Sequence, residues 1–317
     1  VPLENNYDRL GYPPEGAARD ARYTRYVSER LILRTQTSAA IPDLLDGLNI
    51  DPPEDLLLLL PGLVYRRDSI DRLHCGEPHQ LDLWRIVDKK TESMLTREHL
   101  LQMISSVMQA ALPGMQWRVS PSEHPYTEQG LQIDVQWQSA EHNSAKNEWV
   151  EVGECGLAAR SILSRVKLHR HSGLAMGLGL DRLLMLRKNI EDIRLLRSQD
   201  PRVRDQMRDL QPYRPVSAMP AIHRDLSLCV AAEVDEELVG DLLRNQLDEA
   251  SSIEHLSILS TSTYDELPAS ARQRMGMLPG QRNILLRLRI RDMDRTLTDE
   301  QANQIRNCVY RLLQQGE

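Results

Sequence analysis

Five consecutive leucines, residues 56–60, run into a Pro61-Gly62 step, and farther on apolar and polar side chains alternate through Leu83, Arg85 and Val87. An apolar strand, a charged excursion and an alternating strand read as an antiparallel hairpin with a long polar loop. That pairing constrains the neighbouring chain more than any other single stretch. The excursion carries Arg66, His74, Glu77, Gln80 and Asp82, a donor-rich set suited to gripping a polyanion and a polar small molecule. A solvated hairpin tip has the same composition, since charged loops are common.

At 317 residues the chain exceeds most single cores, so two domains are expected, divided as 1–210 and 211–317. With 41% hydrophobic and 27% charged residues the composition is that of a soluble globular protein. A formal charge of −7 argues against a surface that is nucleic-acid-binding throughout, while allowing a local basic groove. Cys75, Cys155, Cys229 and Cys308 are isolated, without metal-ligand spacing, and read as reduced thiols of a cytosolic protein. No apolar run is long enough for a bilayer, and no signal peptide opens the chain, so a cytoplasmic location without a membrane is expected. Because the first residue is Val1 and not Met, the chain is read as continuing upstream.

Between the ends of the first domain, Ile41, Leu44, Leu45 and Leu48 form a short amphipathic helix, with Thr37 or Ser38 as its cap. Gln36 and Ser38 precede that helix and are candidate ligand contacts. Residues 97–112 repeat apolar side chains at helical spacing and stop at Pro113-Gly114. Strand-like stretches follow at 117–119, 131–137 and from 149, with polar residues 138–147 as a loop. The pattern is α+β, with antiparallel strands and helices between them. Glycines 173, 177 and 179 would let a ligand approach the strand backbone, and the strand passes directly into a helix with Arg182 in its first turn. An arginine there opposes the helix dipole, so a phosphate or carboxylate partner is expected.

Pro212, Pro215 and Pro220 mark a linker over 208–220. Beyond it the pattern gives a strand at 221–232, a helix at 235–248, strands near 252–262 and 282–292, and a helix at 298–314 with a Thr298/Gln301 capping box. This β-α-β-β-α order is most of a ferredoxin-like split βαβ domain. Arg287, Arg289 and Arg291 share one strand face. Such a stripe suits RNA phosphates and bases, or else it is a solvated face paired with nearby acids.

Taken together, Asn5-Asn6-Tyr7-Asp8, residues 33–38, the hairpin 62–82, Trp149-Val150-Glu151, residues 177–182, Asp192-Ile193-Arg194, residues 220–227 and residues 294–298 occur in the order found in phenylalanyl-tRNA synthetases. The chain resembles the single-chain organellar type, a class II antiparallel-sheet catalytic domain joined to a ferredoxin-like anticodon-binding domain. The resemblance implies ATP-dependent formation of an aminoacyl adenylate and transfer to tRNA, with ATP and Mg²⁺ as cofactors. It implies that Arg66 and Arg182 are catalytic and hold the ATP phosphates, Arg66 at the α-phosphate and Arg182 on the γ-phosphate side, where positioning and charge stabilisation do most of the catalysis. His74, Glu77, Pro78 and Gly179 would complete the ATP site, and Glu151 would lie near Mg²⁺. Gln36, Ser38, Asp68, Gln80, Asp82, His124, Tyr126 and Ala175 would surround the amino acid, and Arg287, Arg289 and Arg291 would meet RNA.

Within that resemblance, the family's two phenylalanines spaced by a proline stand as His124-Pro125-Tyr126. Ala175 keeps the small pocket floor, with Leu174 and Met176 at flanking phenylalanine positions. Pro78 stands where an aromatic stacks on adenine, Asp82 for a glutamate, and Gln36 for a histidine. His124 and Tyr126 give the pocket polar edges that a plain benzyl group does not use. The helix that precedes the first family motif has no counterpart here, which leaves a homodimer open. Two alternatives stand beside this reading: a paralogue that activates an amino acid for biosynthesis without tRNA, and a non-catalytic RNA-binding or regulatory protein. Nine Tyr, four Trp and no Phe fit two accounts. In one, Tyr, Leu and Met fill the sites at modest cost. In the other, the protein is made while charged tRNA for phenylalanine is scarce, and the Phe content of neighbouring genes separates the two.

Overall fold

The computed structural model describes residues 1–21, 23–48, 50–90, 94–137, 148–216, 220–292 and 295–316. The expected loop 138–147, part of the proline-rich linker and Asp294 lie outside the described residues. The chain divides into two units. The first comprises Val1–Arg66, Glu77–Glu191 and Leu210–Pro212, and the second Arg67–Gly76, Asp192–Asp209 and Tyr213–Glu317. The sequence-based division at 210/211 is a single cut, whereas this division is discontinuous.

The first unit opens with α1 (Leu3–Asn6), a small hairpin of β1 (Tyr26–Ser28) and β2 (Leu31–Ile32), and α2 (Ile41–Leu48). Then come β3 (Asp55–Leu63), β4 (His79–Asp88), α3 (Arg97–Ala111), β5 (Trp117–Pro121), β6 (Thr127–Trp137), β7 (Glu148–Ala158), α4 (Arg160–Arg165), β8 (His171–Gly179) and α5 (Leu180–Lys188). Six of these strands form one sheet in the order β3-β4-β8-β7-β6-β5, antiparallel at every step. The leucine run is β3, at the sheet edge. Leu58 and Leu60 pack against Trp84, Ile41 and Leu45, whereas Leu57 and Leu59 are 52% and 60% exposed. An uninterrupted apolar run thus buries one face only, as strand alternation requires.

Residues opposite one another share a face. Leu58, Trp84, Ala175 and Gly156 form one row, and Leu60, Asp82, Gly177, Glu154 and Gln132 the next. The first row is floored by Trp84, which is fully buried, and is covered by α2 and α4 through Ile41, Leu45, Ile162 and Leu163. Leu174 and Met176 are buried on the opposite face from Ala175, because neighbouring strand residues alternate. They flank Ala175 in sequence but not on its face of the sheet. The expected cap is also different. Thr37–Ala40 is a 3-10 turn that runs straight into α2, with extended Gln36 ahead of it and no side-chain cap, and both Thr37 and Ser38 are buried.

The second unit contains α6 (Pro201–Gln206), β9 (Ile222–Ala231), α7 (Glu236–Gln246), β10 (Ile253–Thr263), α8 (Ala269–Met275), β11 (Gln281–Ile290) and α9 (Asp299–Leu313). Its sheet has the antiparallel order β10-β11-β9. The helix α9 starts with the expected Thr298/Gln301 capping box and buries Ala302, Ile305, Val309 and Leu313. After it, the Gln315 amide donates to the Cys229 carbonyl at 2.9 Å, along the free edge of β9. The helix α8 has no buried residue, so no apolar periodicity announced it.

Segment 67–76, expected to be a polar hairpin tip, is built into this second unit. Ile70 lies in its core, and the Ile70 carbonyl accepts from Leu256 N at 3.0 Å. Arg67 pairs with Asp241 at 3.3 Å, and Arg244 donates to the Ser69 carbonyl at 2.7 Å and also to that of Asp68.

Candidate active site

Asp82 and Glu154 are separated in their row by Gly177, which pairs with both. A Cβ at 177 would come within 3.1 Å of Asp82 Oδ1, so glycine keeps the space between the two acids open. The Asp82 side chain is buried, and its Oδ2 and the neighbouring Thr37 Oγ1 lack a hydrogen bond of acceptable geometry. Desolvation pushes the Asp82 carboxyl up to about 6, with the nearby side chains of Ser38, Thr37 and Trp84 drawing it back. A buried carboxylate oxygen without a partner is costly unless a ligand donor meets it.

Around this carboxylate stands an aromatic wall. Tyr126 stacks near Trp84 with ring centroids 6.1 Å apart and lies 6.2 Å from Tyr12, which meets Tyr7 edge-on at 5.5 Å. Burial pushes the Tyr12 hydroxyl up to about 12 and that of Tyr126 well above its ordinary value, so both stay protonated as donors. Gln36 donates to the Asn6 carbonyl at 3.0 Å, and the Gln80 amide oxygen accepts from Thr37 N at 3.3 Å. These contacts tie the entry of α2 to β4 beside Asp82. Tyr7, Tyr12 and Trp84 were not identified from sequence, although Trp84 shares the strand parity of Asp82.

Glu154 was also missed, and its reason is a β-bulge. Ile133 pairs with Gly153 but Asp134 pairs with Glu151, so β7 carries one extra residue at this point. The bulge brings Glu151 and Glu154, three apart, to the same face, where simple alternation would separate them. Glu154 accepts from Ser122 Oγ at 2.5 Å and meets His124 Nε2 at 2.9 Å. Burial works to raise the Glu154 carboxyl, but His124 and Ser122 outweigh it and hold it low. The same contact with Glu154 raises His124, against burial. His124 lies 5.5 Å from Tyr126, centroid to centroid.

Where β8 becomes α5, Gly179 precedes the first helical residue. Asp181 accepts from the His79 amide at 2.6 Å, fixing the helix start to β4. Arg182 donates to the Glu151 carbonyl at 3.1 Å and lies 3.8 Å from the Glu151 carboxylate. Its expected anionic partner is therefore already supplied in part by β7. Arg66 is exposed and acts electrostatically on Glu154. Glu77 is exposed, and the Pro78 carbonyl accepts from Val64 N at 3.0 Å, closing the base of the loop. Among the described residues there is no group of three or more His, Cys, Asp or Glu side chains able to hold a metal ion alone.

The first unit thus carries Gln36, Ser38, Gln80, Asp82, His124, Tyr126 and Ala175 together with Arg66, Glu151, Gly179 and Arg182. His74 and Asp68 belong to the second unit, where His74 Nδ1 meets Asp71 at 2.6 Å. There too, Arg287 pairs with Asp225 at 2.7 Å, and the buried Glu254 takes both Arg289 at 2.8 Å and Arg291 at 3.3 Å. Each arginine of the anticipated stripe has an acid beside it.

The family described as tRNA synthetases class II core domain (F) matches residues 3–207. The chain belongs to this family. Its six-stranded antiparallel sheet is the family's core, present in the first unit. Among curated relatives, a phenylalanine–tRNA ligase alpha subunit of Prochlorococcus marinus (strain MIT 9313) is 34% identical over 203 residues, covering 63% of this chain and 56% of that protein. One from Streptococcus mutans is 34% identical over 207 residues, 63% of this chain and 58% of the relative. One from Streptococcus thermophilus (strain LMG 18311) is 33% identical over 209 residues, 64% and 59% respectively. This class II synthetase chain therefore spans little more than half the length of these relatives. No helix among its described residues is long and apolar enough to cross a membrane.

Proposed function

We propose that the protein activates an amino acid with ATP and transfers the aminoacyl group to tRNA, as a ligase of the phenylalanine–tRNA ligase kind. The observation that carries the reading is the buried, unpartnered Asp82 Oδ2 on the sheet face walled by Trp84, Tyr126 and Tyr12. Asp82 receives the substrate ammonium group, with Gln80 beside it. Ser38 and Gln36 stand at the substrate carboxylate, over Ala175 as the floor.

Arg66 steadies the α-phosphate while a substrate carboxylate oxygen bonds to its phosphorus and the bond to pyrophosphate breaks. Arg182 holds the distal phosphates from the first turn of α5, with Gly179, Glu77 and Pro78 as further nucleotide contacts. Little covalent chemistry is asked of the protein, so orientation and charge carry the rate. Glu151 is a half-exposed carboxylate beside Arg182 and fits the single-carboxylate mode in which Mg²⁺ is held mainly by phosphates. The bound ion would neutralise phosphate charge.

Apart from the added helix α8 between β10 and β11, the β-α-β-β-α order and the 10-11-9 strand sequence of the second unit support a ferredoxin-like anticodon-binding role. On this reading the chain follows the single-chain organellar type. Arg287, whose ion pair is exposed, is the stripe residue best able to exchange Asp225 for an RNA phosphate, with Arg289 and Arg291 behind it. The exposed Leu57 and Leu59 on edge strand β3 offer an apolar surface for a homodimer.

Amino-acid-dependent exchange of pyrophosphate into ATP tests the reading. Exchange with an aromatic amino acid, reduced about 10²–10³-fold in Arg66→Ala, is expected. An absence of exchange with every amino acid tried overturns it.

A further inference from the structure

Resting on that activating function, we propose that Glu154, oriented by His124 and Ser122, selects an aromatic amino acid bearing a hydrogen-bond donor on its ring and disfavours phenylalanine. Asp82 and Glu154 face the same space over Gly177. Their backbones are two interstrand spacings apart, roughly 9–10 Å, a span suited to a ligand with an ammonium group at one end and a ring substituent at the other. Trp84, Tyr126 and Tyr12 supply the flat wall between.

The chemistry of Glu154 then sets which ring edge is accepted. Each of its oxygens is engaged once, by Ser122 at 2.5 Å and by His124 at 2.9 Å. Each keeps a second lone-pair direction for a substrate O–H or N–H. A phenol, aniline or ring N–H fills that direction. A bare benzyl group strips water from a carboxylate–imidazole pair and returns nothing, which is the condition under which a polar pocket rejects the analogue lacking its donor. A fully buried pocket of this kind discriminates by about 10⁴–10⁵. With its side chain 33% exposed, Glu154 keeps some water, so the expected preference is smaller, about 10²-fold.

The same trio could serve only to tie residues 122–124 to β7, and the test separates the two roles. Pyrophosphate exchange and calorimetric binding are measured with phenylalanine, tyrosine, 4-aminophenylalanine and histidine on the full chain, on Glu154→Leu and on Glu154→Gln. The expected result is a kcat/KM preference of about 10²-fold for a donor-bearing ring over phenylalanine. It should collapse or invert in Glu154→Leu and survive in part in Glu154→Gln, whose amide oxygen still accepts. Phenylalanine used as well as the donor-bearing substrates by the unaltered protein, or a preference unmoved by Glu154→Leu, overturns the selection and leaves activation standing. Binding of a donor-bearing amino acid that Glu154→Leu abolishes, without exchange by any variant, supports selection while activation falls. Neither binding nor exchange removes both.

Discussion

Asp82 on β4 and Glu154 on β7 stand in one row of the sheet with only Gly177 of β8 between them. Two carboxylates share a face, yet they differ in character. Asp82 is dry and pushed up to about 6, while Glu154 is held low by an imidazole and a hydroxyl. The first is poised for a ligand cation, and the second already has partners. The open strip over Gly177 separates the two roles.

Asp82→Asn should separate stability from activity. Because burial raises the folded-state value above 3.8, the folded protein holds this proton more tightly than the unfolded chain. The contribution of this group to stability is therefore complete below about pH 4 and is lost as the pH climbs through about 6. The substitution removes that loss. At pH 7.5 it should gain up to about 3 kcal/mol, with no gain at pH 4, while amino-acid-dependent exchange disappears. Thermal melts at the two pH values check this, and equal melting at pH 7.5 would count against a strained Asp82.

Gly177→Ala places a methyl 3.1 Å from Asp82 Oδ1 without demanding an unusual backbone angle. The fold should persist, with a change in stability within about 1–2 kcal/mol, and amino-acid affinity should fall at least tenfold. Affinity measured by calorimetry beside an unchanged circular dichroism spectrum decides the point.

The His124–Glu154 pair gives a pH window. His124 is raised, so its contribution is complete below pH 6.5 and is lost as the pH rises through its folded value. Glu154 is lowered, so its share is complete above pH 4.5 and is lost as the pH falls through its folded value. The pair stabilises most between these two values. In Glu154→Gln the His124 titration, followed by NMR, should move down toward 6.5, and an unmoved titration would mean that the ion pair does not form in solution.

Lys188 is fully buried at the end of α5 and donates from Nζ to the Gln211 carbonyl at 2.6 Å. Lys188→Ala leaves that carbonyl without this donor and opens a cavity. It should cost about 2–4 kcal/mol in urea denaturation. A loss below about 0.5 kcal/mol would show that the contact is dispensable.

Much of the fold was legible because its signals are local. The alternation in residues 131–137 and 83–87, the helical spacing of 100, 104 and 108, and the Thr298/Gln301 box each depend on neighbours a few residues away. The helix α8 was not legible because none of its residues is buried, so burial left no periodic trace. Strand parity alone puts Trp84 on the face of Asp82, a local signal, but nothing in the proline-rich loop around Tyr12 indicated that this ring would reach Tyr126.

The sequence by itself determined the antiparallel hairpin, the strand-to-helix passage with Arg182 in the first turn, and the family motifs in order. Tertiary structure alone decided that one extra residue in β7 turns Glu151 and Glu154 to a common face, that Leu174 and Met176 face away from Ala175, and that residues 67–76 join the second unit. The physical reason is that period and capping are written into adjacent residues. A bulge, a strand's sheet partners and the core that receives Ile70 are fixed by the sum of distant contacts, which no short window of sequence contains.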